Sequence, residues 1–253
     1  MIRLHAIIVA GLVAAFASSA FAAGGAVPAY VSAAISDASR GADAKADARR
    51  HPGELAAFAQ IKPGDTVVDL IPGSGYFTRI FSKIVGPKGH VYAVWPTEYA
   101  GEAAGDVAAT RAMAAKPEYS NVSVILQPAA AFSIPTKADV VWTSQNYHDY
   151  PDKFMGPTDP AVLNKAVYKA LKPGGLFVVI DHVAEAGSGL RDTDTLHRID
   201  PQTVKTQVQA AGFTFDGQSD VLHNAADDHT LKVFDKKIRG YTDQFAFRFR
   251  KQH

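Results

Sequence analysis

The sequence predicts an α/β fold: a doubly wound, seven-stranded sheet, mostly parallel, with an antiparallel C-terminal strand. Three observations carry this expectation. Short β-branched runs alternate with helical patterns between Thr66 and Asp181, as in parallel strands joined by crossover helices. A glycine turn, Pro72-Gly73-Ser74-Gly75, joins the first such run to the first such helix. Near the end, Phe245, Phe247 and Phe249 alternate with Ala246, Arg248 and Arg250, a period of two that buries one face of a strand. The 253 residues hold one such domain with a sizeable core, preceded by a leader.

The leader comes first. Arg3 and His5 form a short polar start, Ala6 to Ala17 is apolar, and Ala20-Phe21-Ala22 supplies small residues for a cut after Ala22. Residues 1–22 are therefore expected to be a secretory signal peptide, which places the mature protein in the periplasm or outside the cell. The alternative is an uncleaved anchor, but the apolar run falls short of the roughly 20 residues a spanning helix needs. Residues 23–50, rich in Ala, Gly and Ser with scattered charges, read as a flexible lead-in with some helix over 29–38. The domain is expected over 51–253.

Within it, Glu54 to Ile61 carries Leu55, Phe58 and Ile61 on one helical face and closes at Lys62-Pro63-Gly64-Asp65. The strands are expected at Thr66–Leu70, His90–Trp95, Val122–Leu126, Ala138–Thr143, Leu176–Asp181, Phe213–Leu222 and Gln244–Arg250. Helices are expected at Tyr76–Val85, Ala103–Ala115 and Pro160–Leu171, with another after Pro201. Asp159-Pro160 and Asp200-Pro201 each place a capping acid before a proline at the first helical position. Gly212 closes the helix after Pro201.

Composition excludes some classes. The chain has no cysteine, so disulfides, thiolate metal sites and thiol nucleophiles are absent. It carries 26 Lys and Arg against 25 Asp and Glu, and losing Arg3 with the leader balances the two. No overall charge attracts nucleic acid or an anionic membrane. A small-molecule partner is expected, with no nucleic acid, and no stable membrane anchor once the leader is removed.

The turn after the first strand is the leading candidate site. In Val67-Val68-Asp69 followed by Pro72-Gly73-Ser74-Gly75-Tyr76-Phe77, the glycines let the backbone approach a ligand. The helix start offers N–H groups and a positive dipole end. Gly86-Pro87-Lys88-Gly89-His90-Val91-Tyr92-Ala93-Val94 and Leu171-Lys172-Pro173-Gly174-Gly175-Leu176-Phe177-Val178-Val179 follow in order. With these three segments the sequence resembles the class I S-adenosylmethionine-dependent methyltransferases, over about Glu54 to Lys251. A narrower similarity, to exported bacterial proteins described as predicted methyltransferases, rests on three further segments. They are His182 to Asp192, Leu196-His197-Arg198-Ile199-Asp200-Pro201, and Asp227-Asp228-His229.

The resemblance implies a Rossmann-like fold, S-adenosyl-L-methionine as cofactor and methyl transfer to an unidentified small molecule. It puts the cofactor against Asp69, Ile71, Gly73, Ser74 and Gly75. Ile71 stands where the family usually has its first glycine. Trp95 stands where the family usually has an acid for the ribose hydroxyls, which leaves Glu98 to reach back. Gln127-Pro128-Ala129 stands where an acid often meets the adenine.

Methyl transfer asks the protein to align the nucleophile and, where needed, to remove a proton. The loop Ser144-Gln145-Asn146-Tyr147-His148-Asp149-Tyr150 follows the fourth strand. From it, Asn146 is expected to bond the cofactor and His148 to act as base, against the reading of a hydrogen-bonded loop histidine. Asp181 and His182, at the end of the fifth strand, are the other catalytic candidates. Arg191, in Gly187-Ser188-Gly189-Leu190-Arg191, either holds an anionic group or pairs with Asp192 or Asp194. His197, Arg198 and His229 complete the expected substrate contacts. Phe77, Phe81, Phe177 and Phe234 are expected in the core. Tyr76, Trp95 and Tyr147 are core or stack on the ligand.

Two alternatives remain open. One is a non-catalytic ligand-binding protein of the same fold. The other is a metal-dependent enzyme built on Asp181, His182, Asp192, Asp194, His197, Asp227, Asp228 and His229, though no pair shows a recognised metal spacing.

Overall fold

The computed structural model describes residues 26–253, so the expected signal peptide over 1–22 lies outside the described residues. The sheet strands are β1 (Thr66–Leu70), β2 (His90–Pro96), β3 (Val122–Gln127), β4 (Ala138–Ser144), β5 (Leu171–His182), β6 (Phe213–Ser219) and β7 (Gln244–Lys251). They form one sheet of seven strands in the order β3-β2-β1-β4-β5-β7-β6. Strands β1 to β5 pair in parallel, and β7 alone runs antiparallel, between β5 and β6. The order reverses between β1 and β4, and ligands of such sheets bind at that switch point, beyond the strands' carboxyl ends.

The helices are α1 (Ala29–Ile35), α2 (Asp47–Arg50), α3 (Pro52–Phe58), α4 (Tyr76–Val85), α5 (Ala104–Ala114), α6 (Pro160–Ala170), α7 (Thr193–Leu196) and α8 (Pro201–Ala210). Sequence chemistry places their ends. Asp159 and Asp200 cap α6 and α8 by accepting from the N–H groups of Ala161 and Gln202, with proline first in each helix. The Val-rich strands are buried on both faces, as parallel strands covered by helices must be. One core layer joins Val68, Leu70, Val141 and Phe177 to Leu163, Val167, Val204 and Val208. The other joins Val67, Val140, Trp142 and Val178 to Ile80, Phe81, Leu55 and Val31.

Two elements depart from expectation. Lys172-Pro173-Gly174-Gly175 lies inside β5, which begins at Leu171, and the irregularity appears as a register shift opposite Ala138 and Val140. The expected flexible lead-in is corrected over 29–50. It forms α1, a helical run kinked at Gly41, and α2, docked on α4. Val31 and Ala34 are buried there. The Tyr76 hydroxyl donates to Asp47 at 2.6 Å, and Arg79 meets Asp43 at 2.8 Å. Arg40, itself buried, holds Asp47 at 2.6 Å. Composition concealed this, because the docking uses a few apolar residues and specific ion pairs within an otherwise polar stretch.

Candidate active site

Strand β1 ends in the glycine turn. Ile71, Gly73 and Gly75 have φ of 53°, 57° and 92°, so three left-handed residues alternate within five positions. Ile71 is thus itself left-handed, at the position where the resemblance sets a glycine, at a cost for a β-branched residue of about 1–3 kcal/mol. A Cβ added at Gly73 would meet nothing within 4 Å, so the turn presents open backbone there. Among the described residues, neither the Gly73 nor the Ser74 N–H meets an acceptor. The turn is held from outside: Thr110 of α5 donates to the Gly73 carbonyl at 2.7 Å, and Arg79 donates to the Ser74 carbonyl at 2.9 Å.

Asp69 is buried and accepts from the Thr78 hydroxyl at 2.6 Å, tying β1 to α4. Burial pushes its carboxyl up to about 7, opposed by the Thr78 bond and the Arg50 charge. Its contribution to the turn is structural support. Trp95 is buried beside Tyr99. Glu98 lies beyond the end of β2 and is exposed; its Oε2 accepts from the Ala129 N–H at 3.1 Å and from the Thr97 hydroxyl at 3.2 Å. Oε1 has no hydrogen-bond partner among the described residues. Asn146 spends its amide on the carbonyls of Ile71 at 3.1 Å and Ser144 at 2.6 Å, which joins the loop after β4 to the glycine turn. Tyr76 and Tyr147 are core residues.

The same loop carries the second half of the site. Gln145, left-handed at φ 65°, turns the chain after β4, and its N–H donates to the Ile180 carbonyl at 2.8 Å. The following single helical turn, Tyr147–Asp149, sets His148 against the end of β5. Asp181, fully buried, receives His148 Nδ1 at 2.7 Å, the His148 N–H at 2.8 Å and the His182 N–H at 2.8 Å. The other imidazole nitrogen, Nε2, lies 3.1 Å from Asp149 Oδ1 and 3.3 Å from His197 Nδ1. Asp149, read only as part of the loop in sequence, is therefore a site residue; the signal was its place next to His148 after a parallel strand.

The two neighbouring histidines differ in their electrostatics. Burial disfavours the His148 imidazolium, but Asp181 and Asp149 outweigh it and raise the group to about 10. Both ring nitrogens of His148 thus face carboxylates, Nδ1 that of Asp181 and Nε2 that of Asp149. Burial drives His182 the other way, to about 3. It is a neutral imidazole whose Nδ1 lies 2.7 Å from the Thr242 hydroxyl.

Other candidates lie elsewhere or are engaged. Arg198 is fully buried and bonds Asp227, the Val183 carbonyl and the Leu231 carbonyl at 2.9–3.0 Å, so it is a structural clasp rather than a substrate contact. His229 bonds Asp243 at 2.9 Å, and Asp243 also holds His223 at 2.9 Å. The late Asp/His set therefore does not form one cluster; Asp192 pairs with Arg191, and Asp228 accepts from the Thr230 hydroxyl. Asp181, His182 and His197 join His148, while Asp227 and His229 brace the loop before β7. Arg191 is exposed and paired with Glu185 at 2.7 Å and Asp192 at 2.8 Å, and the Gly187 N–H is spent on Asp200, which corrects the anion-loop reading. Phe234 is 53% exposed, not core, and lies against His197 with ring centroids 4.9 Å apart and planes tilted by 56°.

Comparison with solved structures supplies the relatives of this architecture. A methyltransferase dependent on S-adenosylmethionine from Aquifex aeolicus superposes with a TM-score of 0.56 at 18% identity, over 79% of this chain and 89% of that one. The fold is that of the class I S-adenosylmethionine-dependent methyltransferases. The [4+2]-cyclase SpnF shares it, with a TM-score of 0.61 and 18% identity over 81% of each chain. The methyltransferase fold thus carries more than one chemistry. Among curated proteins, a protein-L-isoaspartate O-methyltransferase of Ignicoccus hospitalis is 27% identical over 121 residues, 48% of this chain. The match covers 49% of that protein, so the chain spans about half the length of this curated relative. No protein-family model matches the chain.

Proposed function

We propose that the protein is a methyltransferase that uses S-adenosylmethionine to methylate a small molecule. The observation that carries this is the turn at the switch point. Three left-handed residues, open space over Gly73 and two uncommitted N–H groups fit the cofactor's amino-acid end. Glu98, fixed through Oε2 and free at Oε1, fits the ribose hydroxyls in place of the acid replaced by Trp95. When bound, the cofactor supplies an activated methyl group. Asn146 keeps the loop after β4 against the turn, so a substrate lying on that loop faces the methyl donor. Asp181 anchors His148 beside that loop at 2.7 Å, and His182 lies next to it with ring centroids 6.1 Å apart.

Export is part of the same proposal, supported by the leader pattern of residues 1–22; an intact mass beginning at Ala23 checks it. Among the described residues no helix is long and apolar enough to cross a membrane. Activity is tested by incubating the protein with S-adenosylmethionine and panels of small hydroxyl, amine, thiol and carboxylate compounds. Formation of S-adenosylhomocysteine matched by a methylated product supports the proposal. Unchanged cofactor across all four panels overturns it.

A further inference from the structure

We propose that His148, Asp149 and His197 form a binding site for a divalent transition-metal ion of the zinc type, with one position open to solvent or substrate. Three donor atoms face one another: His148 Nε2, Asp149 Oδ1 and His197 Nδ1. Their separations are 3.1 Å, 3.3 Å and 3.6 Å. A tetrahedral ion with bonds of about 2.0–2.1 Å sets its ligand atoms roughly 3.3–3.4 Å apart. The triangle already has the edge lengths of one face of that tetrahedron.

The surroundings have the form of a metal site's outer shell. Asp181 fixes Nδ1 of His148 at 2.7 Å, so Nε2 is the nitrogen turned to the triangle. A carboxylate behind a ligating imidazole orients the ring and makes it a stronger donor. Two imidazoles with one carboxylate are a set that suits zinc or iron(II) and leaves coordination positions free. His197 is held left-handed at φ 53°, and the Phe234 ring lies against it. A non-glycine residue kept in that conformation is strain that surrounding structure must support. Three residues beyond Asp149 and outside the donor triangle, Asp152 is also buried, and its Oδ2 has no hydrogen-bond partner while Oδ1 accepts from Thr193. The side chain of His197 is 18% exposed, against 10% for Asp149 and 3% for His148, so solvent reaches the triangle most readily at His197.

The site stands apart from the cofactor reading, because it uses neither the glycine turn nor Glu98. The test is calorimetric titration of the chelator-treated full chain with Zn²⁺, checked by metal analysis after dialysis. One ion per chain is expected. His197→Ala and Asp149→Asn, both at positions reachable without emptying the core, are expected to weaken binding at least 100-fold, and Asp181→Asn by about 10–100-fold. His223→Ala and His229→Ala, in the other histidine group, are expected to leave it unchanged. Absence of a stoichiometric ion overturns the proposal. So does an ion retained by both His197→Ala and Asp149→Asn, or lost with His223→Ala and His229→Ala. Binding of S-adenosylmethionine by the same sample is a separate readout, so either conclusion can fail alone.

Discussion

Asp181 grips His148 twice, through Nδ1 at 2.7 Å and through the backbone N–H at 2.8 Å. The carboxylate is fully buried and also accepts the His182 N–H. Removing it leaves three donors without their acceptor in a dry site. Asp181→Ala is expected to cost about 3–5 kcal/mol of stability, the usual penalty for breaking a buried pair. Urea unfolding measures this, and a loss below about 1 kcal/mol would show that solvent reaches the pair.

Gly73→Ala separates binding from folding. At φ 57° the new Cβ is strained by about 1–2 kcal/mol, and it projects into the open space assigned to the cofactor. Gly64→Ala is the control: φ is 88°, the space is equally open, and the turn lies at the other end of β1. Both variants are expected to lose similar stability in thermal melts. Only Gly73→Ala is expected to lose S-adenosylmethionine affinity, by at least tenfold.

Glu98→Gln keeps an oxygen for the Ala129 N–H but removes the charge from the proposed ribose contact. A charge-assisted bond becomes a neutral one, and about tenfold weaker cofactor binding is expected, equivalent to roughly 1.4 kcal/mol. The side chain is exposed, so Tm is expected to stay unchanged. Equal affinity of the two proteins would remove Glu98 from the site.

Much of the fold was legible because strand and helix periods differ, and because parallel strands buried on both faces read as short apolar runs. Ile71, His148, Asp181, His182 and His197 were also legible singly. Their assembly was not: His148 meets Asp181 across 33 residues and His197 across 49. Local patterns carry no information about such closures. Arg198 was misread for a related reason, since an arginine beside a helix cap looks solvent-facing until Asp227 and two carbonyls are found around it. Phe234 failed in the opposite sense. An aromatic residue in a polar loop lies on His197 rather than in the core.

Asp69 gives the pH dependence its sign. Its folded pKa is raised to about 7 by burial, against about 3.9 for an unfolded aspartate. Between those values the folded state binds the extra proton, so stability is fullest below about pH 4 for this group and falls as pH rises through about 7. Asp69→Asn preserves an acceptor for Thr78 and removes the titration. Thermal melts from about pH 4 to about pH 8 are expected to show a shallower decline in the variant than in the wild type. Parallel curves would place Asp69 in contact with solvent.

Arg198→Ala distinguishes a clasp from a substrate contact. With Asp227 left buried and uncompensated, about 3–5 kcal/mol of stability is expected to be lost. Cofactor affinity measured well below the melting transition is expected to stay the same.

If the turn from Asp69 to Gly75 holds S-adenosylmethionine, isothermal titration of the full chain with that compound must show it. Micromolar binding, about −8 kcal/mol, that is displaced by S-adenosylhomocysteine is the predicted result. No heat up to millimolar ligand, with no shift in Tm, would contradict it.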